Sequence, residues 1–221
     1  MSGPVYFVSG IDTGIGKTFA TGYLAKLWSE HGKKVITQKL IQTGNVDISE
    51  DIQQHREIMG MGWFPEDMTK LTMPEIFTYP ASPHLATKID AREIDFQKIA
   101  DATLQLAEKY DVVLLEGAGG LMVPLTTELL TIDYIAQKKF PVILVSSGRL
   151  GSINHTLLSL EALKIRGLPL YALAYNLNDE SQDAIISKDT SEYLKTYLAQ
   201  NFPNAQWIDI PVVQHKDPLM D

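Results

Sequence analysis

The segment at residues 10–18, with the sequence GIDTGIGKT, constrains the fold more than any other part of the chain. An apolar run at residues 4–8 predicts a buried strand before it, and residues 19–28 predict a helix after it. A strand, a glycine-rich turn ending in Gly-Lys-Thr and a helix form the layout of a phosphate-binding loop. Five residues, rather than the usual four, separate Gly10 from Gly16. The flanking strand and helix disfavour a chance Gly-Lys-Thr in an ordinary turn, so the sequence predicts a nucleoside triphosphate site.

The chemistry of such a loop assigns roles to its residues. Backbone N–H groups of the turn and the positive end of the helix surround the phosphates. The lysine, here Lys17, reaches the β- and γ-phosphates, and the hydroxyl of the next residue, here Thr18, ligates Mg²⁺. The sequence therefore predicts that ATP and Mg²⁺ bind at the start of the first helix.

The composition narrows the classes of protein to which the chain can belong. Its 221 residues are 45% hydrophobic and 21% charged, so we expect a single domain over residues 1–221. The net charge of −8 disfavours a nucleic-acid-binding surface, which needs a basic patch. The lack of cysteine excludes disulfides, thiolate nucleophiles and cysteine-bound metals. Because we find neither a signal peptide nor an apolar run near the ~20 residues that cross a bilayer, we expect a cytoplasmic protein without nucleic-acid or membrane partners.

Buried strands alternate with helices along the rest of the chain. Apolar runs predict strands at residues 33–39, 111–116, 140–145, 168–175 and 206–210. Apolar spacing and capping signals predict helices at residues 49–59, 94–110, 131–139, 152–166 and 187–200. Residues 60–93 contain four prolines and no clear period, so we expect a long irregular connection there. The alternation predicts an α/β fold of the P-loop NTPase type, with a mostly parallel sheet and helices on both faces.

The residues that follow each predicted strand are candidates for the binding site, because ligands of a parallel sheet bind where its strands end. Glu116 ends an apolar strand, and a carboxylate there suits a Mg²⁺ ligand near the nucleotide phosphates. A glutamate that caps the turn after its strand is the alternative. Asp51 lies shortly after the second strand and is a second candidate ligand for Mg²⁺.

Lys39 ends the second predicted strand. Together with Lys17, it would place two cations beside the phosphate that is transferred, where fixed positive charge stabilises the transition state. The alternative is a solvated lysine at the edge of the sheet.

A second helix start, at residues 152–155, follows a glycine-containing turn. Its free N–H groups predict a second anion site, apart from the phosphate loop and suited to a substrate carboxylate. The alternative is an ordinary serine N-cap at Ser152.

Five motifs occur together in the chain: the loop at residues 10–18, Lys-x-x-x-Thr-Gly at 39–44, EGAGG at 116–120, PVILV at 141–145 and Leu-Gly-x-Ile-Asn-His at 150–155. In this order and spacing they resemble the dethiobiotin synthetase family. The resemblance implies an ATP-dependent carboxylase of biotin biosynthesis. In that reaction 7,8-diaminopelargonic acid, CO₂ and ATP give dethiobiotin, ADP and phosphate.

The resemblance also implies a role for each matching position. The implied catalytic residues are Thr13, Lys17 and Lys39, and the implied Mg²⁺ ligands are Thr18, Asp51 and Glu116. The implied contacts with ATP are Gly14, Ile15, Gly16, Lys17, Thr18, Phe19, Asp51, Glu116, Gly117, Ala118, Gly119, Asn176, Ile210, Pro211 and Val212. The substrate would contact Thr43, Tyr193 and a helix start formed by Gly151, Ser152, Ile153 and Asn154. In this family that helix start comes from the second subunit of a homodimer.

Two other functions remain as alternatives. Partition-type ATPases share the fold, but their loop carries a lysine near its start, where this chain has Asp12 and Thr13. Another ATP-dependent amidoligase or carboxylase of cofactor synthesis is the closer alternative, because it would use the same loop and the same cations. Turnover with diaminopelargonic acid separates that enzyme from a dethiobiotin synthetase.

Overall fold

The computed structural model describes residues 2–178 and 183–212. The strands are β1 (Val5–Gly10), β2 (Val35–Lys39), β3 (Gln42–Thr43), β4 (Ile76–Phe77), β5 (Val112–Gly120), β6 (Val142–Ser147), β7 (Leu170–Asn176) and β8 (Gln206–Ile210). The helices are α1 (Lys17–Glu30), α2 (Glu50–Met59), α3 (Pro65–Met68), α4 (Pro83–Ile89), α5 (Phe96–Lys109), α6 (Thr131–Lys138), α7 (Ser152–Ile165) and α8 (Ala184–Asn201). In the described residues, no helix is long and apolar enough to cross a membrane.

Six strands form one parallel sheet in the order β2-β5-β1-β6-β7-β8. Successive side chains of a strand point to opposite faces, so the apolar runs supply two cores. Phe7 and Leu115 belong to a cluster that includes residues of α6 and α7, whereas Val8 and Leu114 belong to a cluster that includes residues of α1. The predicted α/β fold, with a parallel sheet and helices on both faces, is confirmed.

The sheet register aligns the strand ends that carry polar residues. Lys39 of β2 is the direct neighbour of Glu116 on β5, and Glu116 is also opposite Val8 of β1. On the other side of the sheet, Ser147 of β6 is opposite Asn176 of β7. Because all these strands are parallel, their carboxyl ends lie along one edge, as the sequence predicted.

Side chains cap some helices and glycines begin others. Ser49 caps α2, where its hydroxyl accepts a hydrogen bond from the N–H of Ile52, which confirms the predicted start of that helix. In contrast, α1 and α7 follow Gly16 and Gly151, which have left-handed φ values of 92° and 94° and provide no capping side chain. Glycine adopts this conformation without the steric cost that a Cβ imposes. The first N–H groups of these two helices are therefore not covered by a side-chain cap.

Residues 60–93 are more regular than the sequence predicted. They contain α3, β4 and α4, and β4 pairs with β3 in a separate two-stranded parallel sheet. Strands of two residues and helices of four to seven are too short to produce a hydrophobic period, so the pattern could not reveal them. The predicted long irregular connection is wrong in this respect.

Candidate active site

A cleft of about 390 Å³ lies where β1, β2 and β5 end. Its lining residues come from the phosphate loop, from the ends of β2 and β5, from β3 and from α2. They are Thr13, Gly14, Gly16, Lys17, Thr18, Phe19, Lys39, Ile41, Gln42, Thr43, Asp51, Gln54, Glu116, Ala118 and Gly119. The structure thus brings together, in one cleft, the three predicted catalytic residues, the predicted Mg²⁺ ligands and most of the predicted ATP contacts.

The phosphate loop packs closely against Asn176 at the end of β7. A Cβ atom on Gly16 would lie 2.2 Å from Nδ2 of Asn176, so this position has no room for a side chain. The same Nδ2 donates a hydrogen bond to the carbonyl of Ile15 at 3.0 Å. Asn176 therefore supports the loop from β7, and Ile15 is buried in the core beneath it.

Lys17 is buried and points back over its own loop, where Nζ donates to the carbonyl of Asp12 at 3.1 Å. Burial lowers the pKa of Lys17 to about 8, although Glu116 acts in the opposite direction. The neutral carbonyl of Asp12 compensates this desolvation only in part, and a nearby anion would compensate it better. A polyphosphate in the cleft would supply that charge.

The predicted Mg²⁺ ligands form one group of oxygen atoms. The hydroxyl of Thr18 donates to Oδ1 of Asp51 at 2.7 Å and lies 3.3 Å from Oε1 of Glu116. Magnesium prefers such hard oxygen ligands and commonly uses one or two carboxylates together with phosphate oxygens. The donor set fits Mg²⁺ on these grounds. Over residues 2–178 and 183–212, no group of three or more His, Asp or Glu side chains is placed to hold a metal, so nucleotide oxygens would have to complete the coordination.

Lys39 lies between the same two carboxylates. Its Nζ donates to Oε1 of Glu116 at 2.9 Å and to the carbonyl of Gly117 at 3.1 Å, and it forms an ion pair with Asp51. Burial alone would lower the pKa of Lys39, but the two carboxylates together raise it above its ordinary value. The lysine is 5% exposed, so the alternative of a solvated edge residue is wrong.

Glu116 is completely buried and ionised. Burial alone would raise its pKa, but Lys39 and His55 together hold the pKa well below the usual range of a glutamate. Strand β5 continues past this residue to Gly120, and the carboxylate contacts Lys39, Thr18 and His55. The alternative in which Glu116 caps the turn after its strand is therefore wrong.

His55, which contacts the carboxylate of Glu116, was missed by the sequence analysis. It is fully buried, and its Nε2 lies 2.9 Å from Oε2 of Glu116. Asp51 and His55 are four residues apart on α2, so they project from the same side of the helix toward β2 and β5. This i, i+4 relation to a predicted metal ligand was the signal available in the sequence.

The remaining predicted ATP contacts lie outside the cleft. Ile210 is buried at the end of β8, opposite Asn176 in the sheet register, while Pro211 and the exposed Val212 follow it. Gly117 is buried and contributes its carbonyl to Lys39. These residues lie at or beyond the same carboxyl edge but do not line the cleft, and their contact with ATP stays a prediction.

The predicted substrate-carboxylate site is at the start of α7. Gly151 is the N-cap, and Ser152 is the first helical residue, with its buried hydroxyl 3.4 Å from that of Ser147. The alternative of a serine N-cap at Ser152 is therefore wrong. Asn154 is exposed and Ile153 is half-buried, and neither lines the cleft of the phosphate loop.

Arg149 connects the start of α7 to the phosphate loop, whereas Tyr193 lies away from the cleft. Arg149, in the turn before α7, donates to Oδ2 of Asp12 in the phosphate loop at 2.6 Å. Tyr193 lies on α8, is 47% exposed and does not line the cleft. Within one chain, the α7 start and Tyr193 are thus apart from the cleft, and their contact with substrate stays a prediction.

Comparison with known proteins identifies the family. A family model described as an AAA domain matches residues 5–202. The ATP-dependent dethiobiotin synthetase of Pasteurella multocida is 52% identical over 90% of this chain and 93% of that protein. The corresponding enzyme of Chlorobaculum tepidum is 50% identical over 95% of this chain and 88% of that protein. The chain belongs to the dethiobiotin synthetase family. The family predicted from the sequence motifs is thus confirmed.

Solved structures agree with the fold of this dethiobiotin synthetase family member. The cell division protein FtsY of Thermotoga maritima superposes with a TM-score of 0.55 at 17% identity, over 96% of this chain and 63% of that chain. The signal recognition particle receptor FtsY of Elizabethkingia anophelis, in complex with GDP, gives 0.53 at 18% identity, over 94% and 56%. This chain spans less than two thirds of either protein, and at these identities the likeness concerns the fold alone.

Proposed function

We propose that this member of the dethiobiotin synthetase family carboxylates 7,8-diaminopelargonic acid with CO₂ and closes the product to dethiobiotin, converting ATP to ADP and phosphate. The observation that carries the proposal is the cluster of the buried Lys39 and Glu116 with the partly buried Asp51 and Thr18, beside Lys17. This cluster lies at the start of α1. Relatives that bear the name dethiobiotin synthetase and are about 50% identical over most of the chain also support the proposal.

The nucleotide would bind with its phosphates on the loop. The N–H groups at the start of α1 and the ammonium of Lys17 would bind the β- and γ-phosphates. Thr18, Asp51 and Glu116 would hold Mg²⁺, which neutralises phosphate charge when it is bound. The base would lie near Asn176 and residues 210–212, as the family resemblance implies.

The reaction needs no protein nucleophile. CO₂ adds to one substrate amine and gives a carbamate, whose oxygen attacks the γ-phosphorus while the bond to ADP breaks. One proton is lost when this carbamate forms. The second amine then attacks the carbamoyl carbon, phosphate leaves, and a second proton is lost from that amine as the ureido ring closes. Negative charge is redistributed in each of these steps, and Lys39 and Lys17 would stabilise it as fixed cations.

The substrate would be held at both ends. Thr43, at the rim of the cleft, would contact the reacting end. The carboxylate at the far end would bind the N–H groups at residues 151–154 of a second subunit, close to Tyr193. We therefore propose a homodimer with shared active sites, in which one domain over residues 1–221 carries both parts, and we propose a cytoplasmic location.

The test is a phosphate-release assay with ATP, Mg²⁺ and bicarbonate, with and without diaminopelargonic acid. We expect phosphate release that depends on the diamine, and a product with the mass of dethiobiotin. Release without the diamine would favour a switch-like ATPase. Release only with a different amine or carboxylate would favour another ATP-dependent amidoligase or carboxylase of cofactor synthesis.

A further inference from the structure

His55 connects the candidate metal site to a second buried polar group. Its Nε2 faces Oε2 of Glu116 at 2.9 Å, and its Nδ1 faces Oγ1 of Thr37 at 3.0 Å. Thr37 also accepts a hydrogen bond from Nη1 of Arg56 at 2.7 Å. Arg56 is in turn held by two hydrogen bonds to Asp67. The ring of His55 is thus fixed at both nitrogens by side chains that are themselves fixed.

These contacts determine which nitrogen of His55 carries the hydrogen. Because Thr37 accepts from Arg56, its own hydroxyl hydrogen needs a separate acceptor. In the described part of the chain, the acceptor in reach of that hydroxyl is Nδ1 of His55. Nδ1 is then without a hydrogen, and the neutral ring carries its hydrogen on Nε2. His55 therefore donates to Glu116.

The two oxygens of Glu116 consequently have different partners. Oε1 faces Lys39 and the hydroxyl of Thr18, on the side of the cleft. Oε2 faces His55, on the side of α2. Since the carboxylate is fully buried, no water competes for Oε2, and the donor on His55 decides how the carboxylate plane is oriented.

We propose that His55 is a positioning residue, which binds one oxygen of Glu116 so that the other faces the nucleotide-bound metal. This inference rests on the proposed metal role of Glu116. Groups that orient a metal ligand in this way commonly change metal affinity or activity by about 10- to 100-fold when they are removed.

The test compares three substitutions of His55. The amide nitrogen of glutamine can occupy the place of Nε2, whereas that of asparagine falls near Nδ1 and does not reach Glu116. We expect the gain in nucleotide affinity that Mg²⁺ provides to stay near the wild-type value in His55→Gln. In His55→Asn and His55→Leu, we expect this gain to fall by about tenfold. The measurement is calorimetry with the β,γ-imido analogue of ATP, in Mg²⁺ and in EDTA. Affinity in EDTA should stay unchanged, because the loop and Lys17 are intact.

A matched control separates positioning from general loss of a buried hydrogen bond. Thr103→Val removes a hydrogen bond of 2.8 Å from α5 to Gln38, the neighbour of Thr37 on β2. This variant should lower the melting temperature and leave the Mg²⁺ effect unchanged. Equal Mg²⁺ effects in wild type and in the glutamine and asparagine variants would overturn the proposal, whether or not His55→Leu folds.

Glu116→Gln in the same assay separates failure of this inference from failure of the proposed function. If this variant loses the Mg²⁺ effect while the His55 variants keep it, the metal role stands and the positioning role is overturned. If Glu116→Gln also keeps the full effect, the metal role is wrong and the inference falls with it.

Discussion

Helices α1 and α7 begin in the same way and differ in what surrounds their first turns. Each has 14 residues, and each follows one of two neighbouring strands of the sheet, β1 and β6. Both are preceded by a glycine with a φ value near 90°, and neither has a side-chain cap. Both helix starts therefore carry the positive end of a helix dipole that no side chain caps.

The side chains that surround the first turn of α1 come from the same chain. Lys39, Asp51 and Glu116 converge on its first turn from β2, α2 and β5. The start of α7 opens instead beside the exposed Leu150 and Asn154. A helix end thus becomes a defined site only through the side chains around it. We infer that the side chains that complete the site at the start of α7 come from the cleft of a second copy of the chain.

The largest effect is expected for Lys39, which distinguishes the α1 site from a bare helix end. Lys39→Gln should lower kcat by about 10²-fold or more, which is about 2.7 kcal/mol on the barrier. ATP affinity, measured by calorimetry, should change less, since Lys17 and the loop remain. Lys39→Arg should not restore the rate fully, because a planar fork replaces a compact charge.

Lys33→Gln is the matched control for Lys39. It removes an exposed lysine just before β2, and we expect a stability change within about 0.5 kcal/mol and normal turnover. A Lys39→Gln enzyme with near-normal kcat would contradict the catalytic role and leave Lys17 as the cation that acts on the phosphates.

An intermediate effect is expected at the start of α7. Asn154→Asp changes the size of the side chain little and adds a negative charge, which is favourable near a helix N-terminus, so the protein should fold. The charge would repel a substrate carboxylate, and we expect KM for diaminopelargonic acid to rise about tenfold, or about 1.4 kcal/mol. KM for ATP should not change. The exposed Asn204 gives the control Asn204→Asp, with the same charge change elsewhere.

Mixing variants tests whether the α7 start serves the neighbouring cleft. In a symmetric dimer with shared sites, equal amounts of Lys39→Gln and Asn154→Asp chains should give wild-type composition in about a quarter of the sites. Activity at low substrate concentration should then exceed the mean of the two separate variants. An unchanged mean after subunit exchange, or a fully active monomer in sedimentation, would place both residues in one chain.

The smallest effect is expected for Arg149, which links the two helix starts through Asp12 at 2.6 Å. The pair is partly exposed, so Arg149→Ala should cost no more than about 1 kcal/mol of unfolding free energy and change ATP affinity little. Arg166→Ala is the matched control, since its pair with Asp133 is 3.0 Å long and similarly exposed. Thermal denaturation should give similar shifts for both. A markedly larger loss of ATP affinity for Arg149→Ala would mean that the two helix starts are coupled.

Much of the candidate site was predictable because its residues follow apolar runs. Parallel strands end at one edge. A sequence that marks Lys39 and Glu116 as strand-end residues, and places Lys17 in the loop after the first strand, therefore also indicates that the three meet. His55 could not be found this way. It lies within a helix, and its partner Glu116 is 61 residues away, so the packing of α2 against the sheet brings them together. The contact between Gly16 and Asn176 depends on the order of the strands.

Strand β5 lies between β1 and β2, although both precede it in the chain. As the protein is synthesised, the phosphate loop and Lys39 leave the ribosome well before Glu116, which is 98 residues after Thr18. Until β5 inserts between the two earlier strands, they have no common neighbour, and Glu116 is missing from the cleft. A nucleotide whose binding uses Glu116 can therefore stabilise the chain only after this late, long-range pairing has formed.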